Sequence, residues 1–147
     1  MKRNAFTLVE LLIVVIILGI LAAVVIPQFS DASTDTKVAS CQENLQAIRK
    51  QLSVYRQQHN GTYPTLANFV DAMTKKSDAD GTINAATGKY GPYLNRVPNN
   101  PFTEGGTGND VTAGAAAASK AWFYDAATGD FKANDAGTTN AVAHDTY

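Results

Sequence analysis

The sequence predicts an α+β fold: a long N-terminal α-helix, transmembrane then amphipathic, carrying a small C-terminal head with an antiparallel β-sheet. Three observations predict it. They are an apolar run from Phe6 to Ile26, an apolar stripe at helical spacing from Val38 to Tyr55, and two short aromatic segments separated by a turn at Gly129. The chain divides accordingly into a leader at 1–5, a membrane or assembly helix at 6–26, an amphipathic half-helix at 27–60 and the head at 61–147.

The first run reads FTLVELLIVVIILGILAAVVI and holds one charge, Glu10; from Leu11 to Ile26 no side chain is polar. As a helix it reaches roughly 31 Å at about 1.5 Å per residue, which is about the hydrocarbon thickness of a bilayer. The Leu, Ile and Val residues from Leu11 onward favour insertion by about 4–8 kcal/mol, against at most about 3 kcal/mol for one acid at a helix centre. Insertion is therefore favoured with the carboxylate in place. Lys2 and Arg3 hold the N-terminus on the cytoplasmic side, so the bulk of the chain lies outside the inner membrane. A carboxylate retained inside a span marks a functional position that needs a partner, the alternative being that Glu10 snorkels to the interface.

Pro27 closes the run. It lacks an N–H donor and disfavours helical backbone at Ile26, so a helix kink is expected there. Beyond it Val38, Cys41, Leu45, Ile48, Leu52 and Tyr55 recur at spacings of three and four, one face of an amphipathic helix. Lys37, Glu43, Arg49, Lys50 and Arg56 take the other positions, as a solvated face does. The stripe reads as packed on its own head, with a free coiled coil as the alternative, and Cys41 within it as a small core residue. The helix is expected to stop near His59-Asn60-Gly61, with Gly61 in the left-handed C-cap conformation. From Phe6 to His59 a continuous helix would reach about 81 Å.

In the head, Thr65 is placed to cap a short helix from Leu66 to about Thr74. The polar stretch 75–89 reads as a loop, and Pro92, Pro98 and Pro101 impose extended surface backbone. Residues 103–119, rich in Gly and Ala, read as a variable loop. Ala121–Asp125 and Asp130–Ala133 form a predicted hairpin with Trp122 and Tyr124 on one face and Phe123 on the other. The tail from Asn134 to Tyr147 reads as polar and weakly structured.

Ala5-Phe6-Thr7-Leu8-Val9-Glu10-Leu11, between a short basic leader and the apolar run, resembles the class III signal of type IV pilins and type II secretion pseudopilins. The resemblance implies cleavage between Ala5 and Phe6 by a prepilin peptidase, N-methylation of Phe6, and pairing of the new α-ammonium with Glu10 of a neighbouring subunit. Most members have Gly where Ala5 stands. Asn60-Gly61-Thr62-Tyr63-Pro64-Thr65, Gly91-Pro92-Tyr93-Leu94 and the run Val97–Phe102 are similar to the corresponding stretches of major pseudopilins. The implied shape is a lollipop, and the implied partners are other copies through the N-terminal helices, an inner-membrane assembly platform with its ATPase, and minor pseudopilins or pilins. The family also implies Ca²⁺ in the C-terminal loop, for which Asp125, Asp130 and Asp135 are candidate ligands beside Asp145. A single cysteine excludes an internal disulfide, which within the family favours a pseudopilin over many type IV pilins.

Other classes are poorly served. The net charge of −1 falls to −3 once Lys2 and Arg3 leave, 10 basic residues then facing 13 acidic, so nucleic acid is not the default partner. His59 and His144 stand far apart in the chain, and Ala86-Thr87-Gly88-Lys89 lacks the first glycine and the final Ser or Thr of a phosphate loop, so the chain reads as non-enzymatic. The leading expectation is a periplasmic pseudopilus subunit of type II secretion. The alternatives are a type IV pilus subunit for adhesion, motility or DNA uptake and, in another class, a membrane-anchored binding module. A secretory signal cut at Ser30-Asp31-Ala32 would want an apolar core of only about 7–15 residues.

Overall fold

One helix, α1, runs Leu8–Gln58, and the apolar residues that line its second half are the centre of the head. The computed structural model describes residues 6–103, 108–115, 120–139 and 142–147, and the backbone alone for 25–32. It divides into two compact units, Met1–Thr36 and Lys37–Tyr147. Helix α1 is continuous through Pro27, whose side chain lies outside the described residues, as does the kink expected there.

In the second unit Cys41, Leu45, Ile48, Leu52 and Tyr55 are all buried, as the three-four spacing predicts. The stripe continues one step further to His59, which is fully buried and stacks on Tyr55 with ring centroids 3.7 Å apart. Its Nδ1 lies 2.8 Å from the Tyr55 carbonyl and its Nε2 2.8 Å from the Ser77 hydroxyl, so both ring nitrogens are engaged. The helix stops because Asn60 and Gly61 both take positive φ, 54° and 80°. The Gly61 N–H then donates back to the Arg56 carbonyl at 2.9 Å, the long bond of a Schellman-type end. Asn60 thus shares the role expected of Gly61 alone.

A 3₁₀ turn, Leu66–Asn68, leads into α2, Phe69–Thr74. Thr65 precedes them in extended conformation as expected, but its hydroxyl makes no capping bond; its carbonyl accepts the Asn68 N–H at 3.1 Å instead. Strands β2 (Trp122–Tyr124) and β3 (Phe131–Ala133) form the predicted antiparallel hairpin, with Trp122 facing Ala133 and Tyr124 facing Phe131. Gly129 takes φ of 78° in its turn, where a Cβ would run into the Tyr63 ring. Strand β1 (Val111–Thr112), inside the stretch read as a variable loop, adds to β2 in parallel, giving the order β1-β2-β3. Trp122, Tyr124 and Phe131 are fully buried and join Phe69, Met73 and the α1 stripe in one core. Their polar atoms are satisfied: Trp122 Nε1 donates to the Pro98 carbonyl at 2.9 Å and the Tyr124 hydroxyl to the Pro64 carbonyl at 2.7 Å.

Two expectations need correction. The tail is not weakly structured: β4 (Thr138–Thr139) pairs antiparallel with β5 (Val142–Ala143), a 3₁₀ turn follows at His144–Thr146, and His144 is buried. Arg49 does not sit on a solvated face either. Its Nε donates to the Phe131 carbonyl at 2.9 Å and its Nη1 to the main-chain oxygen of Tyr147 at 2.8 Å, so it ties α1 to β3 and to the last residue. Helical periodicity predicts which side of α1 Arg49 occupies, but the tail returns to cover that side.

Two outcomes follow. Burial, reinforced by the Asp135 charge and opposed by Arg49, pushes the Cys41 thiol up to about 12. Alkylation by iodoacetamide near about pH 8 should therefore be negligible in the folded chain and complete in denaturant, as mass spectrometry will report. Arg49→Met leaves the Phe131 carbonyl and the main-chain oxygen of Tyr147 without their charged donor and should lower stability by about 1.5–3 kcal/mol, measured as a shift in the urea midpoint.

Candidate functional site

The first turn of α1 is closed by its own side chains. The Thr7 hydroxyl accepts the Glu10 N–H at 3.2 Å, while a Glu10 carboxylate oxygen accepts both the Thr7 N–H and the Thr7 hydroxyl at 2.8 Å. This is a capping box, in which a threonine and the glutamate three residues later satisfy each other's backbone donors. The signal Thr-x-x-Glu ahead of an apolar run stands in the sequence and identifies Thr7 as the residue missed. A negative charge in the first turn is also favoured by the helix dipole. Glu10 thus has hydrogen-bond partners inside the single chain.

From Phe6 to Val24 every large apolar side chain is between 50% and 80% exposed. Among the described residues nothing covers this surface, and uncovered apolar area of this extent marks an interaction site. Among the described residues no helix is long and apolar enough to cross a membrane; the described side chains of this run stop at Val24, two residues before its end at Ile26. Ala5, on the leader side of the expected cut, lies outside the described residues.

Of the three aspartates expected as calcium ligands, Asp125 and Asp130 face each other across the β2–β3 turn, the Asp125 N–H donating to the Asp130 carbonyl at 3.0 Å, but their carboxylates take different partners and Asp135 lies apart in the buried tail. Asp125 closes the β2–β3 turn, its two oxygens accepting the Ala127 N–H at 2.9 Å and the Thr128 hydroxyl at 2.8 Å, and these bonds hold its carboxyl below the usual range. Asp130 pairs with the Lys132 ammonium at 2.7 Å, an exposed contact of small energetic weight. Asp135 is buried, with one oxygen 2.6 Å from His144 Nδ1 and the other accepting the Asn100 side-chain N–H at 3.1 Å. Among the described residues no three His, Cys, Asp or Glu side chains gather where they could hold a metal ion. Calcium wants six to eight converging oxygens, and this donor set does not fit it.

What the arrangement offers is an exposed apolar helix surface for assembly. A self-capped helix with a bare apolar flank, leading into a small head packed on the same helix, defines the class of pilin-like filament subunits. Residues 1–26 match the prokaryotic N-terminal methylation motif, and residues 28–106 match the family model of protein G of the type II secretion system. The type II secretion system core protein G of Pseudomonas aeruginosa is 33% identical over 101 residues, 69% of each chain. That of Vibrio cholerae is 30% identical over 109 residues, covering 74% of this chain and 68% of its own. A fimbrial protein of Moraxella nonliquefaciens is 36% identical over 89 residues, 60% of this chain and 51% of its own. No solved structure matches the chain significantly. The chain belongs to the protein G family of type II secretion, the major pseudopilins: a structural subunit that is not an enzyme. Membership brings prepilin-peptidase processing and a place in the type II machinery, at the inner membrane and in the periplasmic pseudopilus.

Proposed function

We propose that the chain is held in the inner membrane by Phe6–Ile26 with its head outside the cytoplasm, is cut between Ala5 and Phe6, and polymerises by moving that helix from lipid into a bundle of its own copies. The observation that carries this reading is the pairing, in one helix, of a bare apolar flank with a carboxylate in the first turn. An apolar flank alone would be equally content in lipid, because helices in hydrocarbon gain little from one another by hydrophobicity. The carboxylate supplies the discrimination.

Cleavage before Phe6 creates an α-ammonium four residues from Glu10. The Thr7 N–H and hydroxyl both donate to one carboxylate oxygen, Oε2, in the single chain and leave the charge uncompensated. A neighbour's α-ammonium at about 4 Å adds about 4 kcal/mol of attraction at an effective dielectric of about 20. Docking beside a second copy is then favoured only at the register that brings amine and acid together. N-methylation of Phe6 keeps that charge, and the assembly platform, its ATPase and the minor pseudopilins would act on this same helix.

Mass spectrometry of the purified protein tests the reading. The expected mature chain begins at N-methyl-Phe6, whereas an intact Met1 or a start near Ser33 overturns it. Glu10→Ala should insert in the membrane normally yet give at least about tenfold less sheared filament, since about 1.4 kcal/mol per contact suffices for that factor. Wild-type filament yield from this variant would remove the charge-pairing step.

A further inference from the structure

Metal-binding heads fix a loop by drawing oxygen donors from separate segments onto one cation. Here separate segments are drawn onto an imidazole. His144, which follows β5, has its Nδ1 2.6 Å from a carboxylate oxygen of Asp135, which precedes β4, and its Nε2 2.8 Å from the Thr139 hydroxyl in β4. A carboxylate can only accept, so Nδ1 bears the proton in this bond. The second Asp135 oxygen accepts from Asn100, whose side-chain N–H also reaches the Ala121 carbonyl at 2.8 Å, the residue leading into β2. The His144 N–H donates to the Gly137 carbonyl at 2.9 Å, and the Phe102 ring stacks on the imidazole at 3.7 Å. The space is full: a Cβ at Gly137 would lie 2.7 Å from both Asp135 Oδ2 and His144 Nδ1.

We propose that the buried Asp135–His144 pair, seated on Asn100 and Thr139, is a metal-free clasp that fixes the C-terminal segment, so that the stability of this head does not depend on calcium. A cation at Asp135 would have to displace the imidazole N–H on one oxygen and the Asn100 amide on the other. Neither Asp125 nor Asp130 stands with it to repay that loss. The proposal concerns the head alone and holds whether or not Phe6 is the mature N-terminus.

The test uses the full chain in detergent micelles, melted in excess calcium and in excess EGTA. The two melting temperatures are expected to coincide, while His144→Gln and Asp135→Asn each lower the midpoint by about 10 °C in both buffers, because each strands a buried polar partner. The double variant should fall little further than either single one, as a shared interaction requires. A parent chain that loses stability in EGTA and regains it with calcium overturns the clasp, and so does a His144→Gln variant that melts with the parent. Should the variants fail to fold, the parent decides alone. A slowly exchanging, downfield His144 Nδ1 proton that is present in EGTA and unmoved by calcium supports the proposal; its absence, or its displacement by calcium, refutes it.

Discussion

The head depends on the burial of one stripe of α1, from Cys41 to Tyr55 and on to His59, beneath the aromatic face of β2 and β3. Apolar area removed from water contributes about 25 cal/mol per Å², and the largest fully buried side chains here are the aromatic Trp122, Tyr124, Phe69 and Phe131. The strands themselves have two or three residues each, too few ladder bonds to hold a sheet on their own. The order of dependence is therefore helix stripe first, hairpin second, and loops last. The same helix upstream is richer still in Leu, Ile and Val, and there the described large apolar side chains from Phe6 to Val24 are exposed. A single helix thus serves two environments: its later turns are solvated by the head, its earlier ones by whatever surrounds them.

That division explains why a carboxylate is tolerable in the first turn. A charged group moved out of water costs several kcal/mol unless its hydrogen-bonding capacity is met. The Thr7–Glu10 box meets part of that capacity locally, which lowers the cost of moving the first turn out of water. Hydrogen bonds to neutral donors do not cancel the charge, however, and a cation remains the better partner. In the proposed assembly, local capping and intermolecular pairing are successive uses of the same carboxylate.

Periodic features were legible in the sequence and aperiodic ones were not. The α1 stripe and the alternation Trp122-Phe123-Tyr124 each repeat at the period of their element, and the structure places them as expected. Arg49 was misread because a helical wheel assigns residues to faces without knowing that the tail comes back across α1 at Tyr147. β1 escaped notice because a two-residue parallel strand has no alternation to detect. The aspartates were grouped by residue type and nearness in sequence, yet the turn at 125–130 and the buried position of Asp135 assign them different work. Asn100, Asp135, Thr139 and His144 belong to one network, but their separations of 35, nine and five residues follow no repeat.

Such networks are what a head with very short strands requires. Asn100 donates to the Ala121 carbonyl and accepts the Phe102 N–H, and Asn134 reaches Thr112 and the Gly114 carbonyl, so each buried amide replaces ladder bonds that longer strands would have made. Trp122 and Tyr124 do likewise for the carbonyls of Pro98 and Pro64, whose proline-bearing segments have fewer N–H donors of their own. Among the described residues no buried side-chain polar atom is left without a partner. Because unmet buried polar groups are the costly alternative, this complete pairing selects a single arrangement of loops that apolar burial alone would leave degenerate. Apolar burial gathers the head on α1, and the side-chain amides and imidazoles decide which of the gathered arrangements is kept.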